Sequence, residues 1–220
     1  MPSIPYVVAV LIIIFLAIGL HEYAHAKFAD NAGDPTPRMY GRVTLNLTKH
    51  FELVGTIMIL ITTFLGFGIG WGKPVPMDPS KMKNPRWDHF MAVLAGPMTN
   101  LLLATAFAVA FRLVYLGSNI NVESFLYIFL SIGVLLNLSL FCFNLIPLGP
   151  LDGMWLFGTF LDEKTRFKWT KWNLTSGQFL FLGIILIGQA IPGLSLFQII
   201  GPPMLVLYQL LTGVPFVPGS

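Results

Sequence analysis

From Pro5 to Leu20 the chain runs without one charged residue and without an interior proline, and the run leads straight into His21-Glu22-Tyr23-Ala24-His25. An uninterrupted apolar stretch of this kind forms a helix, and the remaining sequence decides what covers it. Hydrophobic residues make up 55% of the 220 residues and charged residues 10%, with a mean hydropathy of +0.74. Soluble domains carry about 25% charged residues. There is too little polar surface here for a water-soluble body, so the chain reads as an integral membrane protein with one compact domain over residues 1–220. From Tyr6 to His21 a helix rises roughly 22 Å. With a hydrocarbon core of about 30 Å, His21 falls inside the membrane toward the far face, where polar groups are functional by default.

The other apolar stretches follow the same logic. Phe90 to Val114 and Phe125 to Ile146 are spans, joined by a link with Asn119, Asn121 and Glu123 but no Lys or Arg. Two more apolar stretches, about 174–190 and 194–211, are split by Pro192-Gly193 and read as a C-terminal hairpin at 174–212, with Pro202-Pro203 making its second arm irregular. The basic residues sit in the connections: Arg38, Arg42 and Lys49, then Lys73, Lys81, Lys83 and Arg86, then the loop from Asp162 to Lys171. Basic loops stay in the cytoplasm. Both flanks of the apolar segment 53–70 are basic, and a segment of that length crosses once but not twice. It is therefore expected to be re-entrant or packed against other helices. The result is an all-α polytopic membrane protein of about five transmembrane helices plus that re-entrant segment. The partly alternating stretch Gly41–Leu47 has the pattern of a short strand.

The net charge of +3 comes with no clustered basic face, which argues against nucleic-acid binding. The N-terminus lacks the basic region and small-residue cleavage site of a signal peptide. Cys142 reads as a packing residue, and Trp71, Trp87, Trp155, Trp169 and Trp172 suit an interfacial belt.

The chemistry concentrates in a few residues. On a helix His21 and His25 share one face, so both imidazoles can reach one zinc ion while Glu22 acts as general base. A catalytic zinc site takes three protein ligands. Asp152 is the candidate third, because the span from Phe125 runs antiparallel to that from Phe90 and ends on the side of the His21–His25 turn. Gly96 and Pro97 read as close-packing positions, Asn100 and Asn137 as interhelical hydrogen-bonding groups, and His50 and His89 as polar residues at the membrane boundary.

Three separated motifs, HEYAH at 21–25, AGPMTN at 95–100 and NLIPLGPLDG at 144–153, resemble those of the site-2 proteases, the intramembrane zinc metalloproteases. GWGKPVPMDP at 70–79 resembles a prokaryotic subgroup of them. The resemblance covers about residues 10–155, the core being 5–155. It implies one Zn2+ held by His21, His25 and Asp152, with Glu22 as base and Asn144 near the scissile carbonyl or oxyanion. It implies strand-like segments beside the active site, matched by Gly41–Leu47 and Trp71–Met77, where an unwound transmembrane substrate pairs by strand addition. It also implies a multi-pass protein of a prokaryotic cell membrane, its active site toward the cytoplasm. The PDZ and nucleotide-sensing modules of some members have no counterpart here. A metal-binding transporter or an inactive homologue is the rival. The first would spread polar residues along several spans, and the second would have lost Glu22 or a ligand.

Overall fold

The computed structural model describes residues 3–65, 70–117, 124–191 and 196–216. Three helices among them are long and apolar enough to cross a membrane: α1 (Ile4–Asn31), α4 (Pro85–Gly117) and α5 (Phe125–Asn144). Short helices α2 (Thr36–Met39) and α3 (Leu53–Leu65) lie between α1 and α4. After α5 come α6 (Gly153–Gly158), α7 (Glu163–Trp172), α8 (Gln178–Ala190) and α9 (Leu196–Thr212). A π-turn at Asn173–Gly177 joins α7 to α8 without a break. The outer link at 118–123 and the Pro192-Gly193 break lie outside the described residues.

The long helices pack on one another through small residues. Ala104 and Ala108 of α4 are buried against Val134 and Leu138 of α5 and Tyr208 of α9, while Ala9, Val10 and Ile13 of α1 meet Ile132 of α5. Between membrane helices the attraction is close packing rather than water exclusion, which is why alanine and glycine occupy these contacts. The Ser131 and Tyr208 hydroxyls share a hydrogen bond of 2.7 Å inside the bundle, and Arg112 donates to Leu210 O at 2.8 Å. Both ties bring α9 against α4 and α5.

Three helices begin at a capping side chain. Ser3 caps α1, Ser124 caps α5 and Asp162 caps α7, each accepting from a backbone N–H three residues on. Such a cap stabilises a helix by about 1 kcal/mol. The expected loop 162–171 is in fact the helix α7, started by that Asp162 cap. The second arm of the C-terminal pair stays helical through Pro202-Pro203. A proline removes only its own N–H and is tolerated in a membrane helix when neighbours repack around it.

The expected strand-like segments form no strand among the described residues. Residues 41–46 are a turn and bends leading into a 3₁₀ turn at Leu47–His50. Residues 71–78 form neither a helix nor a ladder. The reason is local: Pro74 and Pro76 have no N–H to give, and the Lys73 and Pro74 carbonyls are taken by the side chain of Arg42 instead of a neighbouring strand.

α3 rises about 20 Å, less than a bilayer core. Residues 66–69 lie outside the described set, yet the chain on either side returns to one place. The Trp71 indole donates to the Glu52 carboxylate at 2.6 Å, and Lys73 N donates to His50 O at 2.8 Å. The two ends of segment 53–70 are thus side by side.

Candidate metal centre

His21 and His25 lie one turn apart on α1, and Asp152 arrives from the turn between α5 and α6, more than a hundred residues later. The three side chains converge. His21 Nε2 and His25 Nε2 are 2.9 Å apart, and each lies close to Asp152 Oδ2, at 3.2 and 3.3 Å. Both histidines are buried, and Asp152 is nearly so.

The surrounding hydrogen bonds fix what these atoms present. His25 Nδ1 faces the Ala92 carbonyl at 2.9 Å, which only accepts, so Nδ1 carries the proton. His21 Nδ1 faces Asn100 Oδ1 at 2.7 Å. Asn100 spends its Nδ2 on Ala17 O and Asn137 Oδ1, so its oxygen must accept from His21. Asn137 completes the chain by donating to Gly133 O at 2.9 Å. With each proton on Nδ1, both Nε2 atoms turn lone pairs toward the same point. Asp152 Oδ2 faces that point too, buried and without a hydrogen-bond donor. Three acceptors held about 3 Å apart repel one another unless a cation sits among them. A tetrahedral zinc with bonds of about 2.0–2.2 Å sets its ligands about 3.3–3.6 Å apart, so the carboxylate–imidazole spacings lie at the lower end of that range and the two Nε2 atoms a few tenths of an ångström inside it. The donor set fits a metal ion in charge, element type and separation.

Two glycines shape the centre. A methyl group on Gly96 of α4 would clash with His25 Nε2 and Cε1 and lie 2.8 Å from His21 Cε1. Gly96 therefore provides the wall against which both imidazoles rest, a more specific use than helix packing. Gly149 precedes Asp152 in its turn, and its N–H donates to Asn173 Oδ1 at 2.7 Å. On the other side of Asp152, Met154 O accepts from the Trp169 indole at 2.7 Å. Trp169 and Asn173 are one helical turn apart, so the α7 rod grips the Asp152 turn at both ends.

Glu22 is not one of the three converging groups. Its side chain lies within electrostatic reach of His21, His25, Asp152 and Arg42, and a methyl on Gly72 would sit 3.4 Å from its Cγ. Asn144 ends α5 and turns its amide back to Leu140 O at 3.0 Å, with no hydrogen bond to the three converging groups. His50 is fully buried within the protein. His89 stacks edge-on against Trp155 at 5.4 Å.

Sequence reasoning alone missed two contributors and the partners of two others. Asn100 was legible as an interhelical hydrogen-bonding group, and it is one, but its partner His21 was not. Gly96, within AGPMTN, was read as a close-packing position but not as the wall of both imidazoles, while Asn173 and Arg42 carry no local signal of the site, because each acts on residues distant in sequence.

A cavity of about 810 Å³ opens between the start of α4 and α6–α7, with Arg86, His89, Trp155, Arg166 and Lys168 among its walls. It backs onto the Asp152 turn, since Trp155 N donates to Asp152 O at 2.9 Å.

Comparison with known proteins agrees with this chemistry. Residues 9–124 match the family model described as peptidase family M50. A protein of Bacillus subtilis (strain 168) named "Putative zinc metalloprotease YwhC" is 39% identical over 173 residues, covering 76% of this chain and 74% of that protein. No solved structure matches the chain.

Proposed function

The chain belongs to peptidase family M50, and from that premise we propose that it is an intramembrane zinc metalloprotease whose metal is held by His21, His25 and Asp152. One observation carries the ligand assignment: two imidazole lone pairs and an orphaned carboxylate oxygen point at one another with no donor between them. Zinc, when bound, supplies Lewis acidity, polarising a scissile carbonyl and acidifying water. Glu22 is the general base: its carboxylate takes a proton from the attacking water and passes it to the leaving amine as the C–N bond breaks. The Asn144 amide, at the end of α5, is assigned to steady the carbonyl oxygen. Asn100 and the Ala92 carbonyl hold the two imidazoles in the tautomer that leaves Nε2 free, as outer partners of metal-bound histidines do.

The substrate is a transmembrane segment of another protein, reached within the bilayer and unwound before cleavage. About five spans are proposed, with α8 and α9 joining the three long helices. Segment 53–70 is proposed as re-entrant, supported by the ties from Trp71 to Glu52 and from Lys73 to His50. The site faces the cytoplasm of a prokaryotic cell, since Arg86, Lys164, Arg166 and Lys168 rim the cavity behind the Asp152 turn. That cavity is a route for water.

The test is a membrane-spanning reporter co-produced with the protease. Glu22→Gln should retain zinc and lose cleavage. Cleavage at the wild-type rate in that variant removes the base assignment.

A further inference from the structure

The cavity between the start of α4 and α6–α7 has walls that passage of water does not explain. Four cations line it, Arg86 from α4 and Lys164, Arg166 and Lys168 from α7, against one carboxylate, Glu163. Among the described residues Glu163 forms no ion pair with any of them. The side chains of Lys164, Arg166 and Lys168 have no hydrogen-bond or ion-pair partner among those residues either. Arg86 is held in place. Its Nε donates to Thr159 O at 2.8 Å and its Nη2 reaches Leu161 O at 3.3 Å, with the guanidinium carbon 5.8 Å from the centre of the Trp87 ring. Like charges gathered around one hollow repel, and a bound anion removes that repulsion. At about 810 Å³ the hollow falls within the range of small-molecule sites, about 300–1,000 Å³.

The setting selects the anion. α4 is long and apolar enough to cross the membrane, and the cavity opens at its first turn, through Pro85, Arg86 and His89. That is the depth of lipid headgroups. Large rings stand exposed next to the cations: Phe167 of the wall is 70% exposed and Phe160 63%. Phe160 meets Trp87 and Phe90 edge-on at 6.0 and 5.5 Å. A soluble phosphate would leave these rings in water. A phospholipid covers them with its glycerol and acyl stem while its phosphate meets the cations, as interfacial aromatic and basic anchors do. The walls also connect to the metal centre. α4 carries Gly96 and the Ala92 carbonyl, which position the imidazoles, and the α7 rod holds the Asp152 turn through Trp169 and Asn173. An anion bound by Arg86 and the α7 cations together ties these two supports to each other.

We propose that this cavity binds the phosphate headgroup of an anionic phospholipid, which bridges α4 to α7 and so holds the Asp152 turn against the two imidazoles. Arg86, Arg166, Lys164 and Lys168 take the phosphate, and the exposed rings take the apolar stem. The lipid is a ligand of the protein rather than a substrate, and its binding goes beyond the proteolytic reading.

The experiment titrates the zinc-loaded full chain, in detergent micelles, with phosphatidylglycerol or phosphatidylcholine. Bound lipid per chain is read by native mass spectrometry and zinc release by a competing chelator. Phosphatidylglycerol should bind saturably, and at roughly ten times its Kd should slow zinc release about tenfold. Phosphatidylcholine should do neither. Arg166→Gln with Lys168→Gln should weaken phosphatidylglycerol binding about fivefold per cation removed and return zinc release to the phosphatidylcholine rate. Lys164→Gln, at an exposed position, carries the test with about a fivefold loss if the double variant does not accumulate. Lys49→Gln, an exposed cation outside the cavity, should bind lipid as the wild type does. Equal binding of the two lipids overturns the proposal, as does an unchanged Kd in the cavity variants or an equal loss in Lys49→Gln. Inorganic phosphate or glycerol phosphate slowing zinc release as well as the lipid does would make this a site for soluble phosphate and overturn the lipid assignment. Saturable lipid binding with unaltered zinc release overturns the bridge to the Asp152 turn. A wild-type chain that holds no zinc fails the proteolytic reading instead, and the lipid Kd of the variants then decides this one.

Discussion

Gly96→Ala adds a single methyl group to α4, and the structure gives its consequence a sign and a size. Ala is favoured over Gly in a helix interior by about 1 kcal/mol, so helix propensity alone predicts a slightly more stable α4. The new Cβ, however, would overlap His25 Nε2 and Cε1 and lie 2.8 Å from His21 Cε1. Relieving those contacts to a carbon separation of about 3.5 Å moves the His21 imidazole by about 0.7 Å and the His25 imidazole by somewhat more than an ångström. Metal–ligand distances tolerate only about ±0.2 Å, and misplacing a catalytic group by about 1 Å is enough for a 10²-fold loss. Gly96→Ala is therefore expected to cut reporter cleavage about a hundredfold and weaken zinc retention, while the melting temperature of the zinc-free protein holds or rises. The assay is zinc per chain after graded chelator dialysis, paired with thermal melts of the stripped protein. Wild-type zinc retention and cleavage in Gly96→Ala would refute the packing argument. A large drop in the stripped protein's melting temperature would show that the methyl disturbs α4 itself.

Other variants probe the supports around the centre. Asn100→Ala removes the acceptor that fixes the His21 tautomer and should weaken zinc affinity about 10–100-fold, read by competition with a metallochromic chelator. Asn173→Ala leaves the buried Gly149 N–H without its acceptor and should destabilise the protein by about 1–3 kcal/mol, with faster zinc release as the Asp152 turn loosens. An unchanged release rate would show that α7 does not steady that turn. Burial pulls the His50 pKa below its ordinary value, opposed by its bond to Thr44 O and reinforced by Arg42. His50 thus contributes stability that is complete above its unfolded pKa of about 6.5 and is lost as pH falls through the lower folded value. Melting temperature should decline over that interval in the wild type and less in His50→Gln, and parallel curves would refute the assignment.

The sequence made the three long helices and the His21–His25 pair legible because both signals are local. Charge-free runs mark spans, and a four-residue spacing puts two histidines on one helix face. Asp152 was within reach for a topological reason: an antiparallel span has to end on the side where the histidines lie. The strand expectation for Trp71–Met77 met a segment that joins no ladder. Alternation says nothing about a guanidinium from residue 42 taking the carbonyls that a strand would have taken. His50 read as a boundary residue because it sits between a polar loop and an apolar segment, and nothing local showed that the fold packs its ring against Arg42. The specific roles of Gly96 and Asn173 were illegible for a shared reason. What makes a glycine or an asparagine matter is the atom across from it, and that atom belongs to a helix far away in sequence.

Elemental analysis of zinc in the purified protein puts the shared site on α1 and the Asp152 turn to the test. Wild-type protein is predicted to carry one zinc per chain, Glu22→Gln to keep it, and His25→Ala and Asp152→Ala each to lose it. Full zinc occupancy in both His25→Ala and Asp152→Ala would contradict a metal held jointly by those two distant segments.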